Sequence, residues 1–294
     1  MEYWKKIAQA VVPNEFNAFV GSSDARRPDS VRFTDIATDV KRRDLTINAL
    51  FFDIDTEEIV DLVGGAQDLK DKVVRTVGSA EARFGEDRLR ILRAIRFAAR
   101  FGSDLDIEIR EALKKDSSLA GISGERIRDE FLKGLKSAKH VEHFLVMLRE
   151  FDLFKWIFKG LKVSDDMVSH KDSLVLMAVL LHENEPKKID KALGDSKFTV
   201  DERRAVSFLV SLQGLSEETV IRFKKAEKTA GVSARQIGMF GGKMGIEPSL
   251  LRRFVIFEFS VSGEAVMAER GIGPGKELGD VIHQMELERF KQIK

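Results

Sequence analysis

The chain contains no cysteine. That excludes disulfides, thiolate metal sites and a cysteine nucleophile, and is compatible with a reducing compartment. Its five histidines show no metal-ligand spacing. His182 ends the apolar run LVLMAVLLH, with His170 ahead of it, but Glu183 stands where a helical metal phosphohydrolase pair would place Asp. No run approaches the roughly 18 apolar residues of a membrane span, and MEYWKKIAQAVVPNEF lacks the shape of a secretory signal. The expectation is a cytoplasmic protein with no membrane contact, a mitochondrial location being left open. Excess charge is also missing: 49 Lys and Arg face 48 Asp and Glu, net +1. There is no global pull on nucleic acid, so any RNA binding must come from local patches.

What is present is an ordinary globular composition, 43% hydrophobic and 33% charged, in 294 residues, enough for two or three compact units. The first forty residues carry little structural pattern. NEFNAFV (14–20) reads as a strand, GSSDARRPDS as a polar loop and VRF as a short strand. Arg42-Arg43-Asp44 then sits where a turn enters an alternating strand, 46–53. TEE turns the chain, and IVDLV returns as hairpin partner. GGAQDLKDK reads as a turn, VVRTVG as the last strand, and no strand is expected beyond Ser79. Helices are expected over 84–101, 105–115, from Ser123 (with Ile127, Phe131 and Leu135 at helical spacing) and on to about 158. Further helices are expected at 172–182, 201–212, 216–228, 233–241, 248–257 and 277–292.

The stretch 84–101, FGEDRLRILRAIRFAARF, predicts one amphipathic helix opened by Glu86 and Asp87. At about 100° per residue, Ile91, Leu92, Ile95 and Ala99 form a core-facing stripe, with Arg90, Arg93, Arg96 and Arg100 opposite. No Lys shares that face. Arginine offers a planar fork of donors suited to phosphates and base edges, where lysine is a point charge. A solvated face with an Asp87–Arg90 ion pair is the alternative reading.

A carboxylate only accepts hydrogen bonds and a guanidinium only donates them. Set side by side, Asp87 and Arg90 would match the amino donor and ring acceptors of cytosine or adenine and reject uracil and guanine, whose ring N–H opposes Arg. Arg93 and Arg96, one and two turns on, would reach the triphosphate or ribose. Arg42, Arg43 and Asp44 suit phosphates and a ribose hydroxyl, or form a surface charge cluster. Asp53-Ile-Asp55 has the form of a D-x-D metal strand but reads better as a hairpin turn. Gly64-Gly65 reads as a tight turn rather than a phosphate cradle, since no helix is expected after it.

Four motifs stand in order: Asp39-x-x-Arg42-Arg43-Asp44-Leu-Thr-Ile-Asn48-Ala-Leu, Gly65-x-x-Asp68-Leu69, Glu86-Asp87-x-x-Arg90-x-x-Arg93-x-x-Arg96-Phe97 and Gly124-Glu125-Arg126-Ile127. Together they closely resemble the class II tRNA nucleotidyltransferases, the CCA-adding enzymes and their poly(A) polymerase relatives. Phe259-Ser-Val-Ser-Gly263 and Gly271-Ile-Gly-Pro-Gly275-Lys-Glu-Leu-Gly279 are similar to the tail of the eukaryotic and mitochondrial CCA-adding enzymes.

The resemblance implies an α+β, mainly α fold: a polymerase-β-like head remnant (1–78), a helical neck carrying the template helix (79–160) and a helical, tRNA-binding body and tail (161–294). It implies CTP and ATP as substrates, tRNA as partner and Mg²⁺ as cofactor. Arg42, Arg43 and Asp44 would contact the nucleotide's ribose and phosphates, Asp87 and Arg90 would act as template for C and A, and Arg93 and Arg96 would lie at the nucleotide. Glu125 and Arg126 would brace the template helix.

Two departures accompany it. Arg88 stands where the family usually has Pro, which is favoured but not required there. The G-G-x-x-R-D loop and D-x-D strand expected ahead of Arg42 are missing, and Glu15 is a poor match for the third carboxylate. The expectation is therefore a chain inactive alone, truncated, mis-started or completed by a separate polypeptide carrying the head. The alternatives are a non-catalytic tRNA- or nucleotide-binding protein, and an A-only, CC-only or poly(A)-adding relative.

Overall fold

The computed structural model describes residues 19–20, 30–31, 35–54, 56–166 and 172–293. The expectations placed on 14–18, on the 21–29 loop, on 32–33, on Glu15, on Asp55 and on His170 lie outside the described residues. The fold is α+β and mainly α, with short strands confined, among the described residues, to the first part of the chain. It divides into two compact units, Met1–Trp156 and Ile157–Lys294.

In the first unit, β1 (Phe19–Val20) pairs antiparallel with β2 (Ser30–Val31). Helix α1 (Ile36–Arg42) follows, N-capped by the Asp35 carboxylate, which accepts from Thr38 N–H at 2.8 Å. The expected turn before Arg42 is thus a helix, too short for its apolar spacing to stand out in sequence. Thr46–Asn48 forms one 3₁₀ turn, so the strand expected over 46–53 is reduced to β3 (Leu50–Phe52). It pairs antiparallel with β4 (Ile59–Asp61), as the hairpin pattern predicts.

Residues 65–71, expected as a turn, form α2 (Gly65–Asp71). Gly64 enters it in the left-handed region, φ +80°. A Cβ on Gly65 would lie 2.2 Å from the Thr46 carbonyl oxygen, so this close approach requires glycine. Asp61 accepts hydrogen bonds from the N–H groups of Val63, Gly64, Gly65 and Ala66, filling the start of α2 with its own anion.

β5 (Val73–Val74) pairs in parallel with β6 (Asp104–Leu105), a strand not expected beyond Ser79. Between them lie α3 (Ala80–Glu86) and α4 (Leu89–Phe101), the crossover that parallel pairing needs. The single helix expected over 84–101 is therefore broken at Asp87, which is extended (φ −148°, ψ 106°). α4 stops at Gly102, φ +63°. Its stripe is as the periodicity predicts: Ile91, Leu92, Ile95 and Ala99 are buried. They pack against α6 (Gly124–Ser137) and α7 (Val141–Glu150), which follow α5 (Ile107–Lys115). Ser123 caps α6, and Ile127, Phe131 and Leu135 are buried. A short α8 (Phe154–Ile157) comes at the end of this stretch.

The second unit is helical among its described residues: α9 (Ser173–Leu181), α10 (Pro186–Asp195), α11 (Val200–Ser211), α12 (Val220–Ala230), α13 (Ala234–Lys243), α14 (Pro248–Ile256), α15 (Gly263–Arg270) and α16 (Lys276–Gln292). α10 and α15 were not expected from the sequence. α10 is short and Pro-initiated, and α15 buries only Val266, leaving almost no apolar period to read. α9 is apolar on nearly every side and buried from Val175 to Leu181. The buried Glu286 of α16 accepts from Ser260 and Val261 N–H and fixes the chain between α14 and α15. His182 is half-buried, with Nδ1 2.8 Å from the Val179 carbonyl.

Candidate nucleotide site

The motif residues converge where the end of α1 meets the break between α3 and α4. Asp39, on the inner turn of α1, pairs with both Arg42 and Arg43. Arg43 also donates to the Asn48 carbonyl and lies 4.6 Å over the Phe51 ring. The sequence reading gave Asp39 no role; its placement three and four residues before the two arginines becomes meaningful once α1 is a helix.

Asp44 turns the other way and takes Arg93 Nε at 2.5 Å, with Asn48 Nδ2 at 3.3 Å and Leu45 N–H at 2.9 Å. Burial pushes the Asp44 carboxyl up, but the Arg93 charge and these hydrogen bonds outweigh it and hold the carboxyl below the usual range. Burial alone would lower Arg93; Asp44 raises it above the ordinary arginine value.

A depressed carboxylate stabilises the fold above its unfolded pKa, and that stability is lost as pH falls through the folded value. We expect Asp44→Asn to be less stable than the native chain at neutral pH, with the difference shrinking below about pH 4. Urea midpoints measured against pH check this.

Asp87 and Arg90 do not pair with each other, which corrects the simple i,i+3 pair. Asp87 Oδ1 accepts Leu89 N–H at 3.0 Å, and Oδ2 takes Arg126 Nη2 at 2.8 Å. Arg90 pairs with Glu86 and reaches the Arg83 carbonyl at 3.3 Å and the Arg42 carbonyl at 3.5 Å. Burial pushes the Glu86 carboxyl up, but its bonds to Arg90 and Arg83 hold it below the usual range. Each carboxylate oxygen retains lone-pair capacity and each guanidinium has further donors, so both groups can still engage a base edge.

Arg96 is placed differently from the sequence reading. It is buried, with Nε 2.7 Å from the buried Glu130, and lies 4.3 Å over the Phe97 ring. Glu130, three residues beyond the Gly124-Glu125-Arg126-Ile127 motif, was missed; a charged residue on the apolar side of α6 was the available signal. Glu125 is exposed in the first turn of α6.

Among the described residues the donor set does not fit a divalent metal. No group of three His, Asp or Glu side chains among the described residues could hold an ion. Asp53 Oδ1 accepts Thr56 N–H at 3.2 Å, closing the hairpin turn. Gly64-Gly65 is followed by a helix, contrary to expectation, but Asp61 already occupies those N–H groups.

Comparison with known proteins identifies the family. Residues 6–75 match the poly(A) polymerase head domain, and 104–164 match the probable RNA and SrmB-binding site of polymerase A. The CCA-adding enzyme of Streptococcus agalactiae is 31% identical over 284 residues, covering 90% of this chain and 70% of that one. That of Ligilactobacillus salivarius is 30% identical over 287 residues, covering 90% and 70%. The Bacillus stearothermophilus CCA-adding enzyme solved with CTP superposes with a TM-score of 0.65 at 25% identity, covering 88% of this chain and 71% of that one. The Thermotoga maritima enzyme solved with tRNA shares the fold, with a TM-score of 0.61 at 20% identity, covering 88% and 70%. These relatives are bacterial, and the eukaryotic and mitochondrial kinship expected from the tail has no support in them. The chain belongs to the family of CCA-adding enzymes and poly(A) polymerases.

Proposed function

We propose that this chain serves tRNA CCA-end synthesis, the transfer of CMP and AMP to the tRNA 3′ end, and that its own part is to select CTP and ATP. The observation that carries this is the meeting of Asp87, Arg90, Asp44 and Arg93 at one break between helices, with Arg42 and Arg43 beside them. Asp87 accepts from the exocyclic amino group of C or A, and Arg90 donates to the ring acceptors. Uracil and guanine meet acceptor with acceptor and donor with donor.

Arg42, Arg43 and Arg93 supply charge for the triphosphate, and Asp44 accepts from the ribose as well as from Arg93. Arg96, held by Glu130, supports the helix from within, and Arg126 holds Asp87. Glu125 has no such contact among the described residues. We divide the chain into a head (1–78), a neck with the template (79–160) and a body and tail (161–294) that takes the tRNA by backbone and shape.

The family's reaction uses Mg²⁺ on paired carboxylates, and these 294 residues carry no D-x-D ahead of Arg42. That observation favours a second reading, a nucleotide- or tRNA-binding protein without transfer activity of its own. The Asp87–Arg90 pair equally admits an A-only, CC-only or poly(A)-adding relative.

One experiment addresses both readings. Equilibrium binding of radiolabelled nucleotides should show CTP and ATP bound more tightly than UTP and GTP. Equal affinity for all four defeats the template reading. With tRNA lacking its 3′ end and Mg²⁺, the chain alone should incorporate negligible label; robust incorporation shows that its metal carboxylates lie within these residues after all.

A further inference from the structure

Arg88 follows Asp87 directly, yet its backbone does not call for arginine. Its φ of −58° is one proline adopts, and the extended Asp87 before it is the conformation proline imposes on its predecessor. Among the described residues the Arg88 N–H donates to no backbone carbonyl. The side chain is therefore what distinguishes this position. Its Nη2 lies 2.6 Å from Oδ2 of Asp116, the residue that ends α5.

From Asp116 a run of local hydrogen bonds leads to Arg126. Asp116 Oδ1 accepts Ser118 N–H at 2.9 Å, and Ser118 Oγ accepts Ala120 N–H at 3.1 Å. Ile122 N–H reaches the Leu119 carbonyl, with the Leu119 side chain buried. Ser123 Oγ then accepts Arg126 N–H at the start of α6. Arg126 closes the ring on Asp87, and its Nη1 is buried with no hydrogen-bond partner among the described residues. Asp87 thus anchors a guanidinium whose position depends on where the 116–123 connection places it.

We propose that the Arg88–Asp116 pair is a clasp that sets the 116–123 connection, and through Arg126 the orientation of Asp87, making Asp116 a positioning residue for base discrimination. The proposal rests on the template reading above. The pair is partly exposed, 31% and 47%, so its weight is that of a surface ion pair, about two- to fivefold in an equilibrium constant.

The test is equilibrium binding of radiolabelled CTP and UTP to the 294-residue chain carrying Asp116→Asn, Arg88→Pro or the charge swap Arg88→Asp with Asp116→Arg. Asparagine keeps the acceptor for Ser118 and removes only the charge. Proline keeps the backbone and should hold or raise the melting temperature by restricting the unfolded chain. Asp116→Asn and Arg88→Pro should each reduce the CTP-to-UTP affinity ratio by about two- to fivefold, and the swap, which re-forms the ion pair but gives up the Ser118 acceptor at 116, should restore part of it. A fall in discrimination without a fall in melting temperature is an outcome that a merely stabilising pair does not give. An unchanged ratio in both single variants of a discriminating wild type overturns the clasp alone. A wild type that does not distinguish CTP from UTP overturns the template reading and the clasp with it.

Discussion

Asp87→Asn is expected to leave the chain folded and to remove most of its preference for CTP over UTP. Asparagine replaces the Leu89 N–H acceptor almost isosterically and is as good as aspartate at a helix start. The carboxylate's strict acceptor character, however, is gone. An amide presents one acceptor and one donor group and can turn either towards the base. Its NH₂ then satisfies the uracil O4 that a carboxylate repels, while losing the charge weakens the bond from the cytosine amino group. A charge-assisted hydrogen bond contributes about 1.5–3 kcal/mol, so CTP affinity should fall about 10- to 100-fold. UTP affinity should change little or rise. Binding isotherms for the two nucleotides, with a thermal melt of each protein, separate lost selection from lost fold. Retention of the full CTP preference in a folded Asp87→Asn chain counts against the carboxylate as the reading group.

Glu130→Ala is expected to destabilise the first unit by about 3–5 kcal/mol, because it leaves Arg96 charged and buried without its partner. Replacing both residues, Arg96→Met with Glu130→Leu, should recover much of the loss, since the pair had to be desolvated to form. Nucleotide binding by the double variant decides between the two roles considered for Arg96. If the guanidinium is an internal brace, the refolded double variant binds CTP nearly as well as the native chain. If it reaches the triphosphate, binding falls although stability returns. Urea denaturation and CTP titration on the same three proteins give both answers.

These two residues also mark how far the sequence could be read. The apolar stripe of α4 was legible because Ile91, Leu92, Ile95 and Ala99 repeat at helical spacing and are indeed buried. The break before it was not, because Asp87 and Arg88 carry no Pro or Gly to announce it. The extended backbone at Asp87 is held by contacts from Arg126, thirty-nine positions away, which local pattern cannot contain. The same holds for the partners: an Asp and an Arg three apart suggest each other, yet Arg126 takes one and Glu86 the other. Helix α1 was hidden for the opposite reason. Seven residues give too few turns for periodicity, although its cap, Asp35, and its acidic-then-basic order were present in the sequence. Arg96 was read onto the solvent side because a helical wheel takes its neighbours as water; α6 instead supplies Glu130.

The carboxylate of Asp61 has a wider consequence. Burial pushes it up, but four backbone N–H groups outweigh that and hold it below the usual range. Its oxygens take the main-chain N–H groups of the Gly64–Gly65 turn, the groups a phosphate at a helix start would need. On the proposed reading, grip on a triphosphate falls to guanidinium groups that already share their charge with Asp39 and Asp44. Such a grip is easily weakened by salt. On the proposed reading, discrimination at Asp87 and Arg90 is expected to survive ionic strengths at which affinity does not, because it rests on matched donors and acceptors and not on net charge.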